Sequence, residues 1–160
     1  MKSQTTCPCC GHKVTSFTHA LNSGLGRAFV AMVEAYLATS RPININTELE
    51  LTHNQIANFQ KLRYFGLVKS IERLGWVPTT LGLAFYYGEV KIYTPAASRG
   101  NVPLADTDPA WLTQKKPRKL VNLADVLGGP WAYKQRPQYQ AEKSPQQTLP
   151  LAPQGDTLFT

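Results

Sequence analysis

From residue 17 to residue 94 the apolar positions follow a helical rhythm first and a strand rhythm later. Leu21, Leu25, Phe29, Met32, Val33 and Tyr36 recur at three- and four-residue steps. That spacing lays one apolar stripe along a helix predicted over residues 19–39, with Arg27 and Glu34 off the stripe. Arg41-Pro42 ends it, because the residue before a proline is pushed out of helical geometry. A short second helix is predicted over 46–51, capped by Asn46 or Thr47 and anchored by Leu49 and Leu51.

The best-marked element comes next. Thr52 and Gln55 have the spacing of a capping box, in which hydroxyl and amide side chains satisfy each other's orphan backbone N–H groups. Gly66 falls where a left-handed residue stops a helix, so a third helix is predicted over 52–65. At 100° per residue, Ile56, Phe59 and Leu62 share one side. Asn54, Asn58 and Lys61 share the other, with His53 and Gln55 on the flanks. After Gly66, residues 67–71 read as a strand, 72–75 as a turn, and Trp76-Val77-Pro78 as the return strand, which ends or lies at an edge because Pro78 lacks a donor. Thr79 or Thr80 then caps a last turn holding Leu81, Leu83, Ala84 and Phe85.

Three helices and a hairpin in that order predict an α+β fold, a winged helix. The expected organisation is a zinc-knuckle-like N-terminus over 1–16, the winged-helix domain over 17–94, an extended arm packed on it over 95–140, and a disordered tail over 141–160. The tail rests on Pro, Gln and Ser content. In the arm, Asn122 and Asp125 can start a short helix, after which Trp131, Tyr133 and Tyr139 can dock on the domain.

Composition changes this picture in two respects. A hydrophobic content of 42% over 160 residues supports one core of ordinary size, and most of the 12 prolines lie beyond residue 94, which confines that core to the earlier part. The formal charge of +7, from 17 Lys and Arg against 10 Asp and Glu, suits a polyanionic partner. Asn and Gln pair bidentately with adenine, and Lys serves guanine or phosphate. The expected DNA contacts are therefore Asn54, Gln55, Asn58 and Lys61 on the third helix. Lys69 and Arg73 on the hairpin, and the basic run Lys115, Lys116, Arg118 and Lys119, are expected to face phosphates. The plain alternative is that these polar groups only keep the surface soluble.

The N-terminal CPCCGH gives Cys7-x2-Cys10, half of a zinc-ribbon spacing. A structural zinc takes four tetrahedral N/S ligands, for which Cys7, Cys10, His12 and His19 are the candidates, Cys9 being spare. No second CxxC follows. Three crowded cysteines suit a reducing compartment better than a disulfide framework, and the cytoplasm is the default location. No apolar run reaches membrane-spanning length. A glycine-rich phosphate loop, an HExxH and a grouped Ser/His/Asp set are all missing, so a non-enzymatic protein is expected.

Four stretches taken together carry a resemblance: CPCCGH at 7–12, NFQKLRYFGLV at 58–68, WVPTTLGLAFYYGEVKIY at 76–93 and LADVLGGPWAYKQ at 123–135. They resemble a family of small phage- and prophage-encoded proteins of undefined function that join a CPxCG-type knuckle to a winged-helix domain. The resemblance implies a winged helix with a C-terminal strand and arm, and a phage origin. It implies no activity. Two functional expectations stand: a phage regulator of transcription bound to double-stranded DNA, or a module that binds a host or phage protein through the same fold or its arm.

Overall fold

In the computed structural model, which describes residues 2–99, 102–104 and 118–137, the chain is α+β, with small antiparallel sheets set against a helical core. It opens with a hairpin. Strand β1 (Lys2–Thr6) pairs with β2 (Lys13–His19), Thr6 opposite Lys13, so the cysteines occupy the connecting loop. The first helix accordingly starts later than its apolar stripe suggests. Helix α1 spans Ser23–Thr39 because the Asn22 side chain accepts the Leu25 N–H at 2.9 Å and caps it there. It ends at Ser40, in the left-handed region at φ 56°.

The helix predicted over 46–51 is a turn followed by bends. Local polar bonds take the backbone elsewhere: the Glu48 carboxylate accepts the Asn44 N–H at 2.7 Å and the Arg41 guanidinium, and Asn44 Oδ1 accepts the Asn46 N–H at 3.0 Å. Just before this turn, Ile43 exchanges two backbone bonds of 2.9 Å with Trp76.

The predicted capping box at Thr52 and Gln55 forms, with bonds of 2.9 and 3.1 Å. The helix it starts has two parts. Helix α2 covers His53–Asn58, and a 3-10 helix continues over Phe59–Phe65 to Gly66, which sits at φ 76°. Strands β3 (Val68–Ile71) and β4 (Gly75–Pro78) then make the expected hairpin. Helix α3 (Thr80–Tyr86) follows, its N-terminus held by Thr79 Oγ1 accepting the Gly82 N–H at 2.9 Å. A Cβ on Gly82 would stand 2.0 Å from the Leu67 carbonyl oxygen, so α3 packs this closely only because that residue is glycine.

Part of the region predicted as an arm belongs to sheets. Strands β5 (Ile92–Thr94), β6 (Ala96–Arg99), β7 (Val102–Pro103) and β8 (Lys119–Val121) give one sheet of order β1-β2-β6-β7 and a second pairing β5 with β8. The N-terminal hairpin is thus continuous with strands from beyond residue 95. Helix α4 (Leu123–Leu127) has its own capping box from Asn122 and Asp125. Residues 131–137 then run without regular structure against α1 and α3. Tyr133 Oη accepts the Ala124 N–H at 2.9 Å, Lys134 Nζ reaches Glu34 at 2.7 Å, and Arg136 meets Glu89 at 2.9 Å.

The core collects Phe29, Met32 and Val33 from α1, Phe59 and Leu62 from the 3-10 helix, Leu67, and Phe85 and Tyr86 from α3. Burying each such side chain contributes roughly 1.5–3 kcal/mol. None of the helices among the described residues is long and apolar enough to cross a membrane.

Candidate nucleic-acid interface

Packing against the start of α1 decides which side chains of this segment face outward. His53, Asn54, Ala57 and Gln60 are exposed, while Gln55, Asn58 and Lys61 are half-buried. The apolar side is as expected, with Phe59 and Leu62 fully buried. The opposite side is rotated toward His53 and Gln60.

The half-buried amides are used by the fold. Gln55 accepts the Thr52 N–H in the capping box and donates through Nε2 to the Gly24 carbonyl at 2.9 Å, tying α2 to the start of α1. Asn58 Nδ2 donates to both the backbone carbonyl and Oδ1 of Asn54 at 2.8 Å. Together with Lys61 and Asn22, these groups line a cleft of about 120 Å³ between α2 and the N-terminus of α1. Gln55 is thus placed as a structural brace. Asn54 keeps its outward exposure.

The hairpin residues differ from one another. Lys69 is exposed on β3; Arg73 is exposed at the turn, with φ 64°, beside an exposed Leu74 and Glu72. Arg118 Nε donates to the Pro95 carbonyl at 3.2 Å and its guanidinium lies 4.7 Å over the Tyr93 ring, so it braces the β5–β8 sheet; Lys119 is exposed beside it. Lys115 and Lys116 lie outside the described residues, as do Tyr139 and the predicted tail.

At the cysteine loop, Gly11 N–H donates to the Cys7 carbonyl at 2.9 Å and Cys7 N–H to the His12 carbonyl at 2.8 Å. Backbone hydrogen bonds from Cys10 and Cys9 hold the Cys7 thiol below its ordinary pKa, which favours the thiolate a metal needs. The cysteines are unpaired by disulfides. His19 is not brought to this loop. It lies at the far end of β2, roughly 20 Å along a strand rising ~3.3 Å per residue, where Nε2 bonds Ser98 Oγ at 2.8 Å and the ring stacks on Tyr64 at 4.5 Å. Among the described residues, no group of three or more His, Cys, Asp or Glu is placed to hold a metal ion. The four tetrahedral N/S ligands of a structural zinc are therefore not assembled among the described residues, and His19 is not near the cysteines.

Two features escaped the sequence. One is the outward set His53, Ala57 and Gln60, left open because Gln55, Asn58 and Lys61 turn toward the start of α1, a distant contact that carries no local signal. The other is the stack around Tyr64, with His19 on its ring and the Arg63 guanidinium 5.1 Å from its centroid. It joins residues 45 positions apart in sequence, and no local pattern encodes it. Compared with protein-family models, with curated proteins and with solved structures, the chain matches none.

Proposed function

We propose that the chain is a non-enzymatic winged-helix protein that binds double-stranded DNA, with α2 and the 3-10 helix directed at the major groove. The element order supports the fold reading: α1, a short bridge at Ile43, a turn, α2, and the β3–β4 hairpin whose return strand takes that bridge. The observation that carries the reading is the uncovered polar face of α2. The 131–137 segment binds Glu34, Gly88 and Glu89 on the side of α1 and α3, leaving His53, Asn54 and Gln60 open. Amides in a groove discriminate between bases by roughly 1–3 kcal/mol per bidentate pair, and Lys61, Lys69 and Arg73 act on phosphates. A phage regulator of transcription is the role this reading favours.

The test is duplex binding by fluorescence anisotropy at graded salt. Asn54→Ala and Gln60→Ala should each weaken the selected duplex about tenfold while the circular dichroism spectrum is kept. Equal affinity in both variants removes the proposal.

A second reading, a host or phage protein as partner, has one observation behind it. A groove of about 320 Å³ runs between α1 and residues 127–131, lined by Val30, Ala31, Leu127 and Trp131 with Arg27 and Glu34 at its rim. Co-purification of a partner from nuclease-treated lysate, lost in Ala31→Glu, favours this reading over DNA. Zinc belongs to the proposal at the cysteine loop, with Cys7 and Cys10 as the ligands tested. Metal content of the purified protein, compared with Cys7→Ser, decides that point.

A further inference from the structure

Charge in this protein is divided by element. The described acids are Glu34, Glu48, Glu50, Glu72, Glu89 and Asp125. Glu34 and Asp125 lie on α1 and α4, Glu72 on the β3–β4 hairpin, Glu48 and Glu50 between α1 and α2, and Glu89 in the loop from α3 to β5; Arg27, Arg41, Lys69, Arg73, Lys134 and Arg136 match these six acids in number. The remaining strands and the 3-10 helix hold no Asp or Glu among the described residues. They carry Lys2, Lys13, Lys61, Arg63, Arg99 and Lys119, with Lys91 beside β5 and Arg118 beside β8. The 105–117 segment, outside the described residues, is neutral in sequence: Asp106 and Asp108 against Lys115 and Lys116. The excess positive charge of the described chain therefore falls on the strand side.

Aromatic groups are interleaved with these cations. Phe17 and His19 share one face of β2 at the two-residue strand repeat, and His19 stacks on Tyr64. Tyr64 in turn lines a cavity of about 260 Å³ between the 3-10 helix and the β5–β8 sheet, together with Tyr93, Lys91, Leu81 and Leu120. Phe17 and Tyr93 are 45% and 43% exposed, and although the Arg118 guanidinium lies over one face of the Tyr93 ring, the rest of both rings is open for stacking. A planar π-face beside unopposed lysines is the chemistry that holds unpaired bases and their phosphates. A duplex does not use such rings, because its bases are already stacked.

We infer that the strand side is a second nucleic-acid surface, one that takes single-stranded nucleic acid, with Tyr93 and Phe17 as stacking platforms and Lys13 and Lys91 on phosphates. The inference does not rest on α2, so the two surfaces fail separately. The probe is a fluorescent twenty-nucleotide oligo-dT, titrated at graded salt against the full chain. Phe17→Ala and Tyr93→Ala should each weaken it about tenfold. The double variant Lys13→Gln, Lys91→Gln should flatten the slope of log K against log salt by about 1.4, since each single-strand phosphate contact contributes ~0.7. Gln60→Ala should leave oligo-dT binding unchanged while reducing duplex binding. Circular dichroism confirms that each variant is folded, and Tyr93→Trp, which keeps a ring, should restore affinity where Tyr93→Ala loses it. The inference is overturned if both aromatic variants bind oligo-dT like the parent. It is also overturned if poly-glutamate of matched charge competes as well as unlabelled oligo-dT, an outcome that assigns the surface to acidic protein.

Discussion

The helical side and the strand side of this protein are held together by different means. Around α1, α3 and α4, long-range polar contacts join side chains far apart in sequence: Lys134 to Glu34, Arg136 to Glu89, and the Tyr86 hydroxyl donating to Glu34 at 3.0 Å. On the strand side the long-range polar contacts are mostly backbone ladders, β2 with β6 and β5 with β8. Backbone pairing needs no opposite charge, so a sheet can carry cations alone. A latch made of exposed side chains needs both signs. The comparison teaches that net charge here is a property of one side of the fold.

The largest expected effect breaks the helical side. Gly82→Ala drives a Cβ to 2.0 Å from the Leu67 carbonyl. That oxygen also accepts the Thr79 N–H at 3.0 Å, so it has little freedom to move away. Overpacking against fixed backbone should cost about 3 kcal/mol or more, read as a lower urea midpoint. A midpoint equal to the parent's would mean that α3 is not seated on the entry to β3.

The same comparison explains what the sequence disclosed. Helical-side elements announce themselves by local chemistry: Thr52 with Gln55, Gly66, Thr79, and Asn122 with Asp125 each act within a few residues of their own position. All were legible. The strand side depends on partners as far apart as His19 and Ala96, for which no turn or cap gives notice. The predicted α1 began too early for a related reason, since the stripe through Leu21 is real but Asn22 claims the cap. The 46–51 helix failed because Glu48 serves Asn44 and Arg41 before it can serve a helix. Of the interface, Asn54 and the apolar backing were readable. The rotation toward His53 and Gln60 was not, because it follows from the packing of Gln55 on Gly24 at the start of α1, 31 residues away in sequence.

A smaller effect tests the latch. Tyr133 packs its ring on Gly88 and takes the Ala124 N–H, so Tyr133→Ala removes packing and leaves a helix-start amide without that acceptor. The expected loss is about 2 kcal/mol in urea unfolding. Lys134→Ala, which breaks an exposed pair, should leave the midpoint where it is, as exposed ion pairs contribute little. If Lys134→Ala costs as much as Tyr133→Ala, ion pairing and not packing holds the 131–137 segment.

Salt sharpens the comparison from the other side. Lysines on the strand side with no described acid beside them repel one another, and screening shortens that repulsion from a Debye length of ~10 Å at 0.1 M to ~3 Å at 1 M. Added sodium chloride should therefore raise the unfolding midpoint modestly, and the Lys13→Gln, Lys91→Gln double variant should reduce that rise. A parent midpoint that falls with salt would show the charges to be balanced in place.

The smallest expected effect is a pH dependence confined to one ring. Burial first, and then the Lys61 charge, push the His19 pKa below its ordinary 6.5. The unfolded chain then binds the proton more readily than the folded one, so stability is intact above about 6.5 and is lost as pH falls below that value. Tyr64 stacks on the ring and Ser98 bonds it, and neither supplies a negative charge to stabilise the imidazolium. His19→Phe keeps a ring to stack on Tyr64 while removing the titrating group. Its unfolding midpoint should therefore vary less than the parent's between pH 7.5 and 5.5, whatever the two midpoints are at pH 7.5. An identical pH profile in both proteins would place the acid sensitivity elsewhere, and would leave the contact between β2 and the 3-10 helix indifferent to protonation.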